Sequence, residues 1–125
     1  PEHEARWGTL TVGRMLCHVS DQLRVALGAM PSKSRTSLLS RTLVKWLVLS
    51  NVVAIPKGKV KTVSEMLSTD ETTWDDDVAT LRRLIDELAH ADEVAPHPMF
   101  GPMSPRDWGR LSALHLDHHL RQFGV

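Results

Sequence analysis

The stretch TVGRMLCHVSDQLRVALG, from Thr11 to Gly28, determines the fold class of this chain. Thr11 is a residue type that caps helix N-termini, and Gly28 suits the position that follows a helix. Between them, apolar side chains recur at the i, i+3, i+4, i+7 spacing of an amphipathic helix. These positions are Val12, Met15, Leu16, Val19, Leu23, Ala26 and Leu27. The pattern therefore predicts a helix that begins after Thr11 and ends before Gly28.

Two further helices are predicted in the middle of the chain. Leu38 to Asn51 has the apolar content of a helix, although its valines would also suit a strand. The connection from Val60 to Thr69 shows little regular pattern. Thr72 or Thr73 can cap the next helix, because aspartates fill the turn that follows and favour the positive end of the helix dipole. Its predicted buried stripe consists of Val78, Leu81, Leu84, Ile85 and Leu88.

The last helix is marked by the tetrapeptide Ser104-Pro105-Arg106-Asp107. The serine supplies the N-cap, the proline the first helical position and the acid the third, so the helix is predicted to run to about Phe123. No segment alternates strongly between apolar and polar residues as a strand would. The prediction is an all-α protein, a helical bundle that forms one domain over residues 1–125.

Composition limits the partners that this chain can bind. Its 125 residues include 15 Lys and Arg, 15 Asp and Glu and one Cys, with a formal net charge of zero. We therefore expect no disulfide framework and no nucleic-acid partner held by bulk positive charge. The most apolar run, Leu43 to Ile55, is shorter than a membrane span and is interrupted by polar residues, so no membrane partner is expected. No signal peptide is visible, which predicts a cytoplasmic protein.

Two of the seven histidines share one face of the last predicted helix. On a helical wheel, His115 and His119 lie within about 20° of the middle of the inward face, and Asp117 points the opposite way. Two imidazoles at i and i+4 can reach the same ion, and a buried histidine needs a partner for its ring nitrogens. Two interpretations stay open: a metal site, or a wet crevice in which Gln122 and water satisfy the rings.

His18, on the first predicted helix, is the candidate for a third ligand. It lies about 120° from the middle of the apolar stripe, which suits the edge of a bundle groove. The alternative is a half-exposed histidine on the helix surface. Three neutral imidazoles with an open fourth position are typical of a catalytic zinc-type site. Zinc, nickel and iron all accept such a ligand set, so the sequence predicts a divalent metal without identifying the element.

Other residues with reactive side chains receive simpler interpretations. Cys17 is predicted to be a small buried thiol. Asp21 and Gln22 fit a solvated helix flank, and together with His118 they are candidates to orient a bound group. His97 lies in a proline-rich loop, either near the mouth of a site or simply in a turn. The four Trp residues are predicted to lie in the core or on a groove wall.

Two parts of the chain resemble a known superfamily. The segments Arg6-Trp7-Gly8, Met15-Leu16-Cys17-His18 and Asp21-Gln22-Leu23-Arg24 resemble the first metal-ligand helix of the DinB-like superfamily. The second resemblance is to an uncharacterised subgroup of that superfamily. It is carried by the segments His97-Pro98-Met99-Phe100-Gly101, Trp108-Gly109 and HLDHHLRQFG, which runs from His115 to Gly124. Together these segments span most of the chain, and the C-terminal part is far more specific than two histidines four residues apart.

The resemblance implies a DinB-like up-and-down four-helix bundle that holds a divalent metal ion with His18, His115 and His119. Members with known activity include thiol-cofactor-dependent transferases and isomerases, and others are damage-induced proteins with no assigned reaction. The superfamily usually has a helix ahead of the first ligand helix, whereas only Pro1 to Leu10 precede it here. Either that helix lies outside this chain, or the Leu38–Ser50 helix or a partner subunit covers the exposed face. The last alternative favours a homodimer.

Two functions of different class follow from these observations. In the first, the protein is a metal-dependent thiol transferase or hydrolase that acts on a small-molecule substrate, with a low-molecular-weight thiol as the second reactant for transfer. In the second, it is a non-enzymatic ligand-binding or stress-related interaction protein in which the metal is structural or absent. The sequence identifies no separate general base, so both functions stay open at this point.

Overall fold

The computed structural model describes residues 3–57 and 64–125 and is built from helices. The described residues form four α-helices: α1 (Val12–Ala26), α2 (Lys45–Leu49), α3 (Trp74–Ala89) and α4 (Pro105–Gln122). A π-helical turn, Ser40–Val44, leads into α2, and a 3₁₀ turn spans Ser64–Leu67. No strand forms in these two ranges, where His97 and Gly101 make an isolated β-bridge. The predicted all-α helical bundle is confirmed.

The three long helices begin where the sequence predicts. Thr11 caps α1 and Thr73 caps α3, each by accepting a hydrogen bond from the backbone N–H three residues later. Ser104 and Asp107 form a capping box at the start of α4, with Pro105 in the first turn. These caps satisfy N–H groups that a helix leaves unpaired at its start, so the boundaries are set by local sequence.

The central helix of the bundle is α1, which packs against α3, α4 and the 3₁₀ turn. Every residue from Met15 to Leu23 is buried, so α1 has almost no solvent face. The short helix α2 packs against α4, and it does not provide the cover over α1 that the sequence allowed. Trp108 on α4 is fully buried in the core and donates its indole N–H to the carbonyl oxygen of Ala95 at 2.7 Å.

Several apolar residues that the sequence assigned to buried positions lie at the surface. Ile85 is 41% exposed, because α3 turns its leucines inward and Ile85 falls at the edge of that stripe. The expectation that the tryptophans lie in the core or on a groove wall holds for Trp108, which is in the core, and for Trp74, which is 41% exposed and lines a cavity, but it is wrong for Trp46, which is 58% exposed. Trp46 lies on the outward side of α2, and Trp74 is the first residue of α3. No helix in the described ranges is long and apolar enough to cross a bilayer.

The connection that the sequence predicts to be irregular contains a short helical turn. Its residues from Ser64 onward are described, and Ser64–Leu67 forms the 3₁₀ turn. Residues 60–63 of the same prediction lie outside the described residues. Met66 is buried, and its burial holds the turn against α1. The turn therefore belongs to the wall that surrounds α1, and it brings the backbone of Met66 close to His18.

Candidate metal centre

Three imidazole rings from opposite ends of the chain meet at one point. The Nε2 atom of His115 lies 3.0 Å from Nε2 of His18 and 3.1 Å from Nε2 of His119. Candidate ligand atoms of all three residues lie within 4.8 Å of one another. The rings stand edge to face, with centroids 4.7 to 5.1 Å apart, so that their Nε2 atoms converge. The structure thus brings together the three residues that the sequence proposed as ligands.

Helix geometry and packing place each of the three rings. His115 and His119 are one turn apart on α4, as their i, i+4 spacing predicts. His18 comes from α1 and is only 3% exposed, so the interpretation of a half-exposed histidine is wrong. A single helical wheel misses this burial because α1 is packed on several sides. His119 is buried as well, whereas His115 is only partly buried as a residue.

An oxygen atom accepts a hydrogen bond from the second ring nitrogen of each histidine. The acceptor is a backbone carbonyl in one case and a glutamine side-chain oxygen in the other two. The pairs, with their Nδ1–O distances, are His18–Met66 (2.8 Å), His115–Gln22 (2.6 Å) and His119–Gln122 (2.7 Å). Because oxygen acceptors keep the proton on Nδ1, each Nε2 presents an unprotonated lone pair to the centre.

The N-terminal segment orients Gln122 and through it His119. The Nε2 of Gln122 donates to the carbonyl oxygen of Trp7 at 2.6 Å, which turns Oε1 toward the ring of His119. The backbone N–H of Arg6 donates to the carbonyl oxygen of Gln122 at 2.7 Å. Gly8 has a φ of 76°, and a Cβ there would approach Nε2 of Gln122 to 2.8 Å, so this close passage requires glycine. Sequence analysis missed the role of Trp7, because a backbone carbonyl has no side-chain signature.

The three rings are neutral at physiological pH. Burial lowers the pKa of His18 and lowers that of His119 to about 4. Burial, together with the neighbouring rings of His18 and His119, holds the pKa of His115 well below its usual range. Neutral imidazole is the form that binds metal ions. Three neutral rings whose lone pairs point at one another repel, and a cation between them would remove that repulsion.

The spacing of the Nε2 atoms fits a divalent metal ion. Nitrogen ligands at ordinary zinc distances in tetrahedral geometry lie about 3.3 Å from one another. The two Nε2 separations of 3.0 and 3.1 Å are close to this value. The second ring nitrogens are also held by oxygens, as is usual for metal-ligating histidines. The residues present therefore have the chemistry and the approximate geometry of a three-histidine site.

Asp21 and Gln22 on α1 are buried, so the expectation of a solvated helix flank is wrong for both. The carboxylate of Asp21 pairs with Arg24 at 2.7 Å, and it accepts hydrogen bonds from the hydroxyl and the backbone N–H of Thr69. These contacts tie the residues after the 3₁₀ turn to α1, which gives Asp21 a structural role. Gln22 instead orients the ring of His115.

Two other candidates lie outside the cluster. Cys17 is buried, as predicted, and burial raises the pKa of its thiol. The ring centroid of His118 lies 5.2 Å from that of His119 and 5.8 Å from that of Trp7. The ammonium group of Lys57 lies 4.4 Å above the Trp7 ring. His118 thus stands at the edge of the centre, where its role in orienting a bound group stays a prediction.

His97 lies in a turn and is not one of the clustered histidines. Its Nδ1 accepts hydrogen bonds from the backbone N–H groups of Met99 at 3.0 Å and Phe100 at 3.2 Å. The ring stacks on Phe100, with centroids 4.5 Å apart, and lies 4.9 Å from the ring of Trp108. Burial lowers the pKa of His97 to about 4, and the charge of Lys45 acts in the same direction. Of the two interpretations, the structure supports the turn.

Comparison with known proteins places the chain in a family. A family model described as "Protein of unknown function (DUF1569)" matches residues 2–124. The chain belongs to the DUF1569 family. No curated protein and no solved structure matches it. Since the family description assigns no activity, a function for this DUF1569 protein has to be argued from its three converging histidines.

The buried His97 predicts how the stability of the DUF1569 protein depends on pH. A histidine in the unfolded chain has its pKa near 6.5, whereas the folded-state pKa of His97 is about 4. Between these values the unfolded chain binds more protons, so the free energy of unfolding falls as the pH falls, by up to about 1.4 kcal/mol per pH unit for one such group. We expect His97→Gln, which does not titrate, to make this dependence shallower. Chemical denaturation at a series of pH values measures the two slopes, and equal slopes would contradict the prediction.

Proposed function

We propose that this DUF1569 protein binds a divalent transition-metal ion through His18, His115 and His119 and is an enzyme that acts on a small molecule. The observation that carries the proposal is that all three Nε2 atoms converge while all three Nδ1 atoms are bonded to oxygens. The reaction is the transfer of a low-molecular-weight thiol to a small electrophile, or a hydrolysis. The DinB-like resemblance supports this proposal, because its implied ligands are the same three residues.

The residues of the chain have two tasks at such a centre. The three Nε2 atoms hold the ion, while Met66, Gln22 and Gln122 hold the Nδ1 protons and so keep each ring in the ligating orientation. When bound, a divalent ion with three imidazole ligands supplies Lewis acidity at an open position, which makes a thiol or water more nucleophilic near neutral pH. The partial exposure of His115 supports access of a small molecule from solvent. Zinc, nickel and iron all suit this ligand set.

The second candidate function is a structural role for the metal. The contacts that the three histidines make between separate elements support it. The three histidines join α1 to α4, and Met66 extends this link to the 3₁₀ turn. A metal that binds only the folded chain adds its binding free energy to the free energy of unfolding. In that case the DUF1569 protein is a non-enzymatic ligand-binding or stress-related interaction protein.

Metal content is the first test of the proposal. We expect protein prepared without a histidine tag to contain about one equivalent of zinc, nickel or iron per chain by elemental analysis. His119→Ala removes a ligand, and we expect it to lower metal affinity by more than about 100-fold, beyond the effect of losing an outer partner. His90→Ala, at the exposed C-terminal end of α3, is the matched control and should retain the metal. Protein that takes up none of the three metals on reconstitution would refute the proposal.

Turnover distinguishes the enzyme from the structural alternative. For an enzyme, we expect metal-depleted protein to be inactive in a panel of thiol-transfer and hydrolysis assays with small electrophiles and to regain activity when the metal is restored. Thermal melting with and without chelator is measured on the same samples. A large fall in Tm on chelation, without turnover in any assay of the loaded protein, would support the structural role instead.

Gln122→Ala tests the oxygen that orients His119. We expect this substitution to lower metal affinity about 10- to 100-fold, because the Nδ1–H of His119 loses its acceptor and the ring is no longer held. Arg121→Ala is the matched control, since this neighbouring side chain is exposed and pairs with Asp117 on the surface of α4. Competition with a chromophoric chelator measures both affinities. Equal affinities for the two variants would show that Gln122 does not position the ligand.

A further inference from the structure

The helical segment that contains α2 is apolar on two faces. Val44 and Val48 pack against the core. On the other side, Leu39, Leu43 and Trp46 are spaced at i, i+4 and i+7, and they are 59%, 51% and 58% exposed. We call these three residues the outward stripe. The apolar face of a helix is normally packed against another element, so the outward stripe lacks the cover that the inward face has.

More exposed apolar residues lie next to the outward stripe in the chain. Leu38, which precedes it, is 82% exposed. Val52 and Val53, which follow α2, are 64% and 48% exposed. Exposed large apolar side chains are unremarkable when they are scattered singly, but a cluster of them marks an interaction site. The segment Leu38–Val53 therefore has the character of a docking surface.

The same part of the chain is strongly basic. From residue 22 to residue 64 the sequence contains eight Lys and Arg residues and no acidic residue, although the whole chain is neutral. Three of these cations form ion pairs with acids outside this range: Arg24 with Asp21, Arg35 with Glu65 and Lys45 with Asp107. Lys33 and Arg41 are exposed, and neither side chain has an ion-pair partner within the part of the chain that the structure describes. Lys33, in the chain just before the docking surface, and Arg41, within it, therefore carry positive charge that no described acidic side chain pairs with.

We propose that the segment Leu38–Val53 docks on an anionic lipid surface. The outward stripe enters the boundary between headgroups and acyl chains, and Lys33 and Arg41 contact the lipid phosphates. Helices that lie in a membrane interface combine these two forces, burial of apolar side chains and attraction to anionic lipid. Trp46 suits that depth, because its ring is apolar and its N–H is polar. The expectation of no membrane partner rested on the lack of a membrane span, and an interfacial helix needs none.

Other occupants would account either for the exposed apolar side chains or for the positive charge, but not for both. A second copy of the chain, packed about a two-fold axis, would cover the outward stripe but would bring two basic segments face to face, where like charges repel. Nucleic acid would attract Lys33 and Arg41 but would leave apolar side chains such as Leu43 in contact with water. An anionic bilayer surface both covers the apolar side chains and neutralises the cations.

Vesicle flotation of the full chain tests the proposal. We expect the protein to float with vesicles that contain phosphatidylglycerol and not with pure phosphatidylcholine vesicles, and we expect added salt to weaken binding. Trp46→Ser removes a large apolar side chain from the interface and should lower the partition coefficient about tenfold. Trp74→Ser is the matched control, since Trp74 is also exposed but begins α3 beside three aspartates, and it should leave partitioning unchanged.

A second pair of variants tests the cations. The double change Lys33→Ala and Arg41→Ala should lower the partition coefficient about 25-fold, or about fivefold for each charge. The matched control is Arg106→Ala with Arg110→Ala, two exposed cations of α4, and it should have no effect. Every variant is also unfolded in urea. An unchanged free energy of unfolding shows that a loss of binding does not come from a loss of structure.

Four outcomes would overturn the proposal. The first is failure to float with anionic vesicles at low salt. The second is an equal loss of binding in the test variants and their matched controls. The third is a dimer in sedimentation that Trp46→Ser dissociates, together with no vesicle binding, which would assign the outward stripe to a second copy. The fourth is binding to duplex DNA in place of vesicles, which would assign the cations to nucleic acid.

Discussion

Three unprotonated imidazole nitrogens face one another inside this protein, and an oxygen bonded to the far side of each ring keeps them there. Without a cation this arrangement is unfavourable, because lone pairs repel at separations of 3.0 and 3.1 Å and burial opposes protonation of the rings. A metal ion converts the same geometry into a favourable one. The centre therefore links the stability of the folded chain to the chemistry proposed for it.

The contacts that orient the rings also hold distant parts of the chain together. His18 connects α1 to the 3₁₀ turn through the carbonyl oxygen of Met66, and Gln122 connects the end of α4 to the N-terminal segment through Trp7. The first of these connections depends on α1, which is buried along most of its length, so its polar side chains need hydrogen-bond partners in the interior. Among the three clustered histidines, His115 alone is not fully buried as a residue.

The region around α2 departs from the usual distribution of residues in the opposite way. The centre has polar groups in the interior, whereas the outward stripe has Leu39, Leu43 and Trp46 at the surface. Folded proteins tolerate either departure where function requires it, and for both places we propose a partner from outside the chain. The proposed partner of the buried histidines is a cation, and the proposed partner of the outward stripe is an anionic lipid surface. The neutral net charge of the chain hides the basic segment, because the acidic residues lie elsewhere in the sequence.

Local sequence was sufficient for the helices and for two of the three clustered histidines. Helix caps act over three residues, and the i, i+4 relation of His115 and His119 holds in any α-helix, so neither depends on the rest of the chain. Periodicity shows which residues share a helix face, but it does not show whether another element covers that face. For this reason His18 proved buried and Trp46 proved exposed, against the simplest expectations. The carbonyl oxygen of Met66, 48 residues from His18, has no signature in the sequence and reaches the ring only because the 3₁₀ turn packs against α1.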